Sequence, residues 1–311
     1  MTWRAPVIFS TERYTYLRDR VLAQDSFEAG EIERKVFPDG ERYRRILGNQ
    51  DGRDVVVIGG TVDDHDVLEI YDLACALVHQ GVHTLTLVIP WYGYQTMERS
   101  AKLGEVVTAK TRARLLSSIP LAGSGNQVVL VDLHSEGIPQ YFSGSMRPRQ
   151  ISARSIAVEH IQRFGGPEFV VAATDAGRAK WVESLANDLG VEAGFVFKRR
   201  LSGDSTEVAA LAADVHDKTV VIYDDMIRTG GSLIGAARAF REAGAAKLAA
   251  VCTHGVFPGD ALRRIQESGL FEGIACTDTH SNVEKLGAAG FLEVRSIAPL
   301  IVEFLKRQRS R

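Results

Sequence analysis

The sequence predicts an α/β protein built as two tandem units, each a mostly parallel sheet flanked by helices. Three observations point there. Short β-rich runs alternate with helix-period segments, the pattern of α/β architecture. The strand runs are apolar on both faces, as parallel strands covered by helices are. The chain of 311 residues suffices for two domains, at roughly 150 residues each.

In the first half, DVVVIGG (54–60), TLTLVIP (84–90) and QVVLVDLH (127–134) read as buried strands. Between the first two, DVLEIYDLACALVHQG places Leu68, Tyr71, Leu73, Cys75 and Leu77 on or near one helical stripe and closes on Gly81. In the second half, EFVVAAT (168–174), VEAGFVFK (191–198), KTVVIYDD (218–225), KLAAVCTHG (247–255) and FEGIACTDT (271–279) read as strands. GRAKWVESLANDLG (177–190) reads as a helix with Trp181, Leu185 and Leu189 at four-residue spacing, and GSLIGAARAFREAGA (231–245) as one with Leu233, Ala237 and Phe240 inward. FSGSMRPRQISARS (142–155) is rich in Gly, Ser and Arg and has no hydrophobic period, so it reads as the connector. This assigns residues 1–149 to an N-terminal domain and 150–311 to a C-terminal one. PLAGSGNQ (120–127) reads as a surface loop.

Apolar residues at 45% and charged residues at 24% are ordinary for a soluble globular protein. A formal net charge of -2 provides no whole-molecule attraction for nucleic acid or an acidic membrane. Cys75, Cys252 and Cys276 lie far apart in apolar or small-residue surroundings, which argues against a disulfide framework or a zinc site and fits a reducing cytoplasm. MTWRAPVIFSTERY lacks the apolar core of a signal peptide. No apolar run reaches the roughly 20 residues of a membrane span.

Ligands of open α/β sheets bind beyond the carboxyl ends of the strands. There the chain places Asp132, Leu133 and His134; Asp175, Ala176 and Gly177; Lys198, Arg199 and Arg200; Asp224 and Asp225; and Trp91, Tyr92, Gly93 and Tyr94. Any one group is also explained as a helix cap or a surface charge. The segment VVIYDDMIRTGGSL (220–233) carries the most chemistry. Gly230 and Gly231 permit a tight turn and a close backbone approach. The amides of 229–232 then open a helix whose positive end favours phosphate, and Thr229 and Ser232 add hydroxyl donors. A sugar phosphate has an anionic end and a hydroxyl end. Asp224 and Asp225 suit two ribose hydroxyls while the turn takes the 5-phosphate. The same acids are also what an ordinary acidic cap before a helix shows.

Two Asp, two apolar residues, a variable residue and Thr-Gly-Gly-Ser resemble the ribose-phosphate site of type I phosphoribosyltransferases. FPDGE (37–41), TAKTRARLL (108–116), VDLHSEGIPQYF (131–142), TDAGRAKW (174–181), KRR (198–200), THGVF (253–257) and IAPLIVEFL (297–305) narrow the resemblance to the ribose-phosphate pyrophosphokinase family. The likeness covers nearly the whole length. It implies two tandem phosphoribosyltransferase-like domains, ATP on the N-terminal side and ribose 5-phosphate on the C-terminal side. It implies transfer of the diphosphoryl group of ATP to the 1-hydroxyl of ribose 5-phosphate, leaving AMP, by positioning and charge neutralisation. Through it, His134 and Asp175 become contacts for Mg²⁺, an ion that takes few protein ligands. Lys198 and Arg200 become the catalytic cations, ahead of a polar stretch, LSGDSTEV, that would close as a lid. On composition alone KRR reads rather as an ordinary solvated basic turn. Phe37, Asp39, Gly40 and Glu41 become ATP contacts, in the family from a neighbouring subunit, with Arg99 in the ATP loop. Asp224, Asp225, Arg228, Thr229, Gly230, Gly231 and Ser232 become the ribose 5-phosphate site. The likeness also implies a homo-oligomer.

Two departures stand out. The family's ATP loop typically runs Tyr-Ala-Arg-Gln-Asp-Arg, and here it runs YQTMER, with Thr96 and Met97 in place of the Arg and Gln. Losing such an Arg removes a charge-assisted contact worth about 1.5–3 kcal/mol, unless Lys102 compensates; Met97 remains able to pack on adenine. Arg228 stands where an Asp is common. These departures leave two other readings: a same-fold enzyme using another nucleotide or sugar phosphate, and a non-catalytic regulatory subunit that binds ribose phosphate.

Overall fold

A computed structural model describes the backbone of residues 5–202, 205–286 and 290–309, and their side chains except at 176, 197–202, 205–212 and 309. The chain divides into two compact units, Met1–Ser152 with Ser296–Arg311, and Ala153–Arg295.

In the first unit the chain forms β1 (Val7–Ser10), α1 (Thr15–Leu22), β2 (Glu28–Ala29), β3 (Ile32–Val36), β4 (Arg42–Ile46), β5 (Asp54–Ile58), α2 (Asp64–His79), β6 (Thr84–Ile89), α3 (Thr108–Ser117), β7 (Asn126–Val131) and β8 (Met146–Ile151). Six strands make one parallel sheet in the order β2-β1-β5-β6-β7-β8. β3 and β4 form a separate antiparallel hairpin. The Val, Ile and Leu runs supply its core: Val55, Val57, Leu85, Leu87, Val128 and Leu130 are buried under Ile70, Leu73 and Leu77 of α2.

In the second unit come α4 (Arg154–Gly165), β9 (Phe169–Ala173), α5 (Ala179–Leu189), β10 (Glu192–Ser202), β11 (Ser205–Ala212), β12 (Thr219–Ile227), α6 (Gly231–Glu242), β13 (Lys247–Gly255), α7 (Ala261–Glu267), β14 (Gly273–Thr277), α8 (Val283–Leu286) and β15 (Leu292–Arg295). The sheet order is β11-β10-β9-β12-β13-β14-β15. Only the β10–β11 pair is antiparallel. Two cores cover its two faces. Leu233, Ala237 and Phe240 of α6 pack on one, and Val182, Leu185 and Ala186 of α5 on the other. α9 (Ala298–Arg309) then belongs to the first unit.

Both sheets reverse strand order once. In the first the chain builds β1 and β2 to one side and then β5 to the other; in the second it builds β9 and β10, then β12. Such reversals open a crevice at the carboxyl ends of the two central strands.

Four details differ from the sequence reading. Leu68 is 52% exposed. The buried stripe of α2 is Val67, Ile70, Leu73, Ala74 and Leu77, the i, i+3, i+4, i+7 series, and Leu68 lies off it. The strand read over 127–134 ends at Val131, because Asp132 takes a left-handed backbone, φ 34°. The connector holds an edge strand: β8 pairs with β7 and buries only Met146 and Ile151, too sparse a pattern to show as a period. Finally, residues from Ser296 onward pack with the first unit, through Ile301, Val302 and Leu305 of α9, all buried. Lys306 pairs with Asp25 at 3.3 Å, and Gln308 exchanges amide hydrogen bonds with Gln127 at 2.9 and 3.2 Å.

Candidate active site

In the second unit, β9 and β12 run side by side with Ala173 opposite Tyr223. One step further, Thr174 Oγ1 donates to Asp224 Oδ2 at 2.9 Å, across the crevice. Asp224 Oδ1 accepts from the Asp225 N–H at 2.9 Å. Successive strand residues alternate across a sheet, which puts Tyr223 and Asp225 on one side. Tyr223 stacks on Trp181 of α5, centroids 3.7 Å apart. Asp225, two residues on, meets Arg178 just before α5 at 2.5 Å. Asp225, 5% exposed, pairs with Arg178 through Oδ2, and Asp224 takes the Thr174 hydroxyl, with the two carboxyls within hydrogen-bond reach of each other. Burial pushes the Asp224 carboxyl up to about 8, with the hydrogen bond and charge of Asp225 adding to it and the Thr174 hydroxyl and Arg178 opposing.

The chain leaves β12 at Ile227 and enters α6 at Gly231. Gly230 has φ 80° and precedes the helix with no side-chain cap among the described residues. That left-handed backbone favours glycine, and a Cβ there would sit 2.6 Å from Ile265 Cγ1 of α7. The first amides of α6 lack intrahelical acceptors, so they present donors at the positive helix end. Thr229, Gly231 and Ser232 are exposed, as is Arg228. Arg264 of α7 donates to the Thr229 carbonyl at 3.3 Å. This is an anion cradle made mostly of backbone.

The metal expectations fall in different units. Asp175 is exposed at the end of β9, and its Oδ1 accepts from Gly177 N–H at 2.8 Å. That leaves Oδ2 for a cation. His134 is exposed in the first unit. Each is a single donor, and Mg²⁺ takes few protein ligands and keeps most of its shell as phosphate and water oxygens. Among the described residues one other cluster, Asp63, His65 and Asp66, brings ligand atoms within 4.8 Å of one another. There Arg13 already spans Asp63 at 2.6 Å and Asp66 at 3.0 Å, so a metal would compete with a guanidinium in place.

The expected ATP residues lie on two elements of the first unit. At the β3–β4 tip, Phe37 N–H donates to Glu41 O at 2.8 Å and Gly40 N–H to Phe37 O at 2.9 Å. Asp39 Oδ1 accepts from Glu41 N–H at 3.1 Å. Phe37 is 46% exposed beside Tyr43, 6.2 Å centroid to centroid. The hairpin is anchored beneath by Arg34 and Arg44, which reach the buried Glu69 of α2 at 3.3 and 3.6 Å. The second element is the loop after β6. Tyr94 sits at φ 60°, its hydroxyl donating to Asp64 at 3.0 Å, with Arg112 over its ring at 5.4 Å. Tyr141 donates to the Glu98 carbonyl at 2.5 Å. Thr96 and Met97 are exposed, and Arg99 is exposed, 3.4 Å from Glu98. The side chains of Lys198 and Arg200 lie outside the described residues; their backbone belongs to β10, which pairs with β11 and has irregularities at Phe197/Lys198 and Arg200/Ser202.

Thr174, Arg178, Gln95 and Arg264 escaped the sequence reading. Thr174 and Arg178 were within reach: they flank the Asp175 turn, where the end of β9 and the first turn of α5 must face β12. Gln95 and Arg264 act through partners 39 and 35 residues away, which spacing does not reveal.

A parallel sheet with a glycine-turned anion cradle and acids at its strand-order reversal defines a phosphoribosyltransferase-like unit. Residues 146–269 match the phosphoribosyl transferase domain, and residues 6–119 match the N-terminal domain of ribose phosphate pyrophosphokinase. The chain is 33% identical over 287 residues to a ribose-phosphate pyrophosphokinase of Methanopyrus kandleri, covering 91% of this chain and 96% of that one. It is 32% identical over 308 residues to that of Thermotoga maritima, covering 97% and 94%. The crystal structure of phosphoribosylpyrophosphate synthetase from Mycobacterium smegmatis superposes with a TM-score of 0.86 at 26% identity, covering 99% of each chain. The chain belongs to the ribose-phosphate pyrophosphokinase family and is an enzyme of that type. Among the described residues no helix is long and apolar enough to cross a membrane.

Proposed function

We propose that this chain transfers the diphosphoryl group of ATP to the 1-hydroxyl of ribose 5-phosphate, giving phosphoribosyl pyrophosphate and AMP. The observation that carries the reading is the left-handed Gly230 opening α6 beside Asp224: one end of the site suits a phosphate and the other a hydroxyl. The amides and hydroxyls of Thr229, Gly230, Gly231 and Ser232 take the 5-phosphate, with Arg228 adding positive charge. Asp224 and Asp225 take ribose hydroxyls, and Asp225 also pairs with Arg178. The 1-hydroxyl oxygen forms its bond to the β-phosphorus as the bond from that phosphorus to the α-bridging oxygen breaks. AMP leaves with that oxygen, and the hydroxyl proton is released. His134 and Asp175 would each offer a ligand to Mg²⁺, which would supply charge neutralisation on the phosphates. Lys198 and Arg200 neutralise the transferring group. Phe37, Asp39, Gly40, Glu41 and Arg99 take ATP.

The exposed Phe37 at the hairpin tip suits a nucleotide held by a neighbouring copy, and we infer a homo-oligomer; the three free cysteines fit a reducing cytoplasm. The exposed Thr96 and Met97 favour one second reading, a different nucleoside triphosphate as donor. The test is AMP release from ATP and Mg²⁺. AMP that requires ribose 5-phosphate and disappears in Lys198→Ala supports the first reading; turnover with another triphosphate alone supports the second; binding without turnover ends both.

A further inference from the structure

Gln95 stands in the nucleotide loop where the family pattern has Ala, and its side chain is 1% exposed. Its Oε1 accepts the backbone N–H of His134 at 2.9 Å. Its Nε2 is buried with no hydrogen-bond partner among the described residues. A buried amide with one good bond and one orphaned donor is a poor source of stability. Its consequence is geometric. The chain leaves β7 through the left-handed Asp132, and His134 follows with its amide turned toward the loop after β6. The acceptor that meets that amide comes from 39 residues away. The rest of the loop is tied elsewhere: Tyr94 to Asp64 at the start of α2, the Met97 carbonyl to Ala109 N–H of α3 at 3.3 Å, and the Glu98 carbonyl to Tyr141. None of these ties reaches the backbone of His134. Thr96 and Met97, exposed beside Gln95, make no hydrogen bond through their side chains to fix the loop among the described residues.

We propose that Gln95 is a positioning residue that couples the nucleotide loop to the His134 turn, so that ATP and its metal are met by one rigid surface; this rests on the function proposed above. The Gln95→Met variant keeps the volume and removes both the acceptor and the orphaned donor. The expected result is a rise of roughly tenfold in the KM for ATP and in the Mg²⁺ concentration for half-maximal rate, the size of one positioning hydrogen bond. The KM for ribose 5-phosphate stays put, KM rises more than kcat falls, and the melting temperature does not drop. Amide exchange at His134 speeds up. Unchanged ATP affinity and metal requirement overturn the coupling. So does a parallel rise in both substrate KM values with a lower melting temperature, which marks a structural role only. Binding of Mg-ATP by calorimetry separates the two ideas. A parent that binds Mg-ATP without forming AMP overturns the proposed function, and the affinity of Gln95→Met still decides the coupling. A parent that binds no Mg-ATP overturns both.

Discussion

The two strand-order reversals share a topology and differ in what fills them. Between β1 and β5, Gly59 and Gly60 follow the strand, and the protein's own side chains occupy the crevice. A Cβ on Gly60 would lie 2.1 Å from the Tyr14 hydroxyl, and one on Gly59 would lie 2.7 Å from Thr11 Cγ2. Tyr14 is fully buried. Between β9 and β12 the same position holds Thr174, Asp224 and the turn into α6. A reversal therefore marks where a sheet can bind a ligand, and the side chains decide whether it does. In the first unit the groups assigned to ATP sit beside the filled crevice, on the β3–β4 hairpin and the loop after β6.

The contrast can be broken from either side. The largest effect is expected for Tyr14→Ala, which empties the closed crevice and removes about 4 kcal/mol of unfolding free energy, read by urea denaturation, with the KM for ribose 5-phosphate unchanged. Arg178→Gln takes the guanidinium away from the buried carboxylate of Asp225, costing about 3 kcal/mol. It should also cut ribose 5-phosphate turnover at least tenfold, and Asp225→Asn in the same chain should recover stability. If Arg178→Gln melts like the parent, Asp225 does not need its partner. Gly230→Ala forces a left-handed conformation on a residue with a Cβ, costing about 1–2 kcal/mol, and drives that Cβ onto Ile265. Its KM for ribose 5-phosphate should rise roughly tenfold, with calorimetric ATP affinity untouched.

The smallest effect is a slope with pH. Burial, together with the hydrogen bond and charge of Asp225, raises the Asp224 carboxyl to about 8 in the folded chain, against about 3.9 when unfolded. Between those values the folded state holds a proton that the unfolded state has released. Its stabilising contribution is complete below about 4 and is lost as pH rises through 8. The ligand-free protein should melt progressively lower over that window, and Asp224→Asn should flatten the slope. An identical slope in the variant would remove Asp224 as its cause.

Much of this was legible in the sequence, for a physical reason. β5, β6, β9 and β12 are short apolar runs whose meaning is local, and the turn at 228–232 needs nothing but its own glycines and the helix it opens. Its local fold could be read from fourteen consecutive residues. The loop after β6 is the opposite case. Tyr94, Gln95 and Glu98 are fixed by Asp64, His134 and Tyr141, 30, 39 and 43 residues away. No period or spacing records such pairings. Edge elements were illegible for a related reason. β8 buries two residues of six, and β2 has two residues in all. Leu68 shows the limit of composition: an apolar residue in a helix whose angular position puts it in water.

One consequence of α9 concerns the order of events at the ribosome. Residues 153–295 form a continuous stretch that can finish folding once it has emerged from the exit tunnel. The first unit still lacks Ile301, Val302 and Leu305 at that moment, because its closing helix is translated after the whole of its neighbour. The half that is made first is the half that matures last, with the flank that Ile301, Val302 and Leu305 cover left open until then.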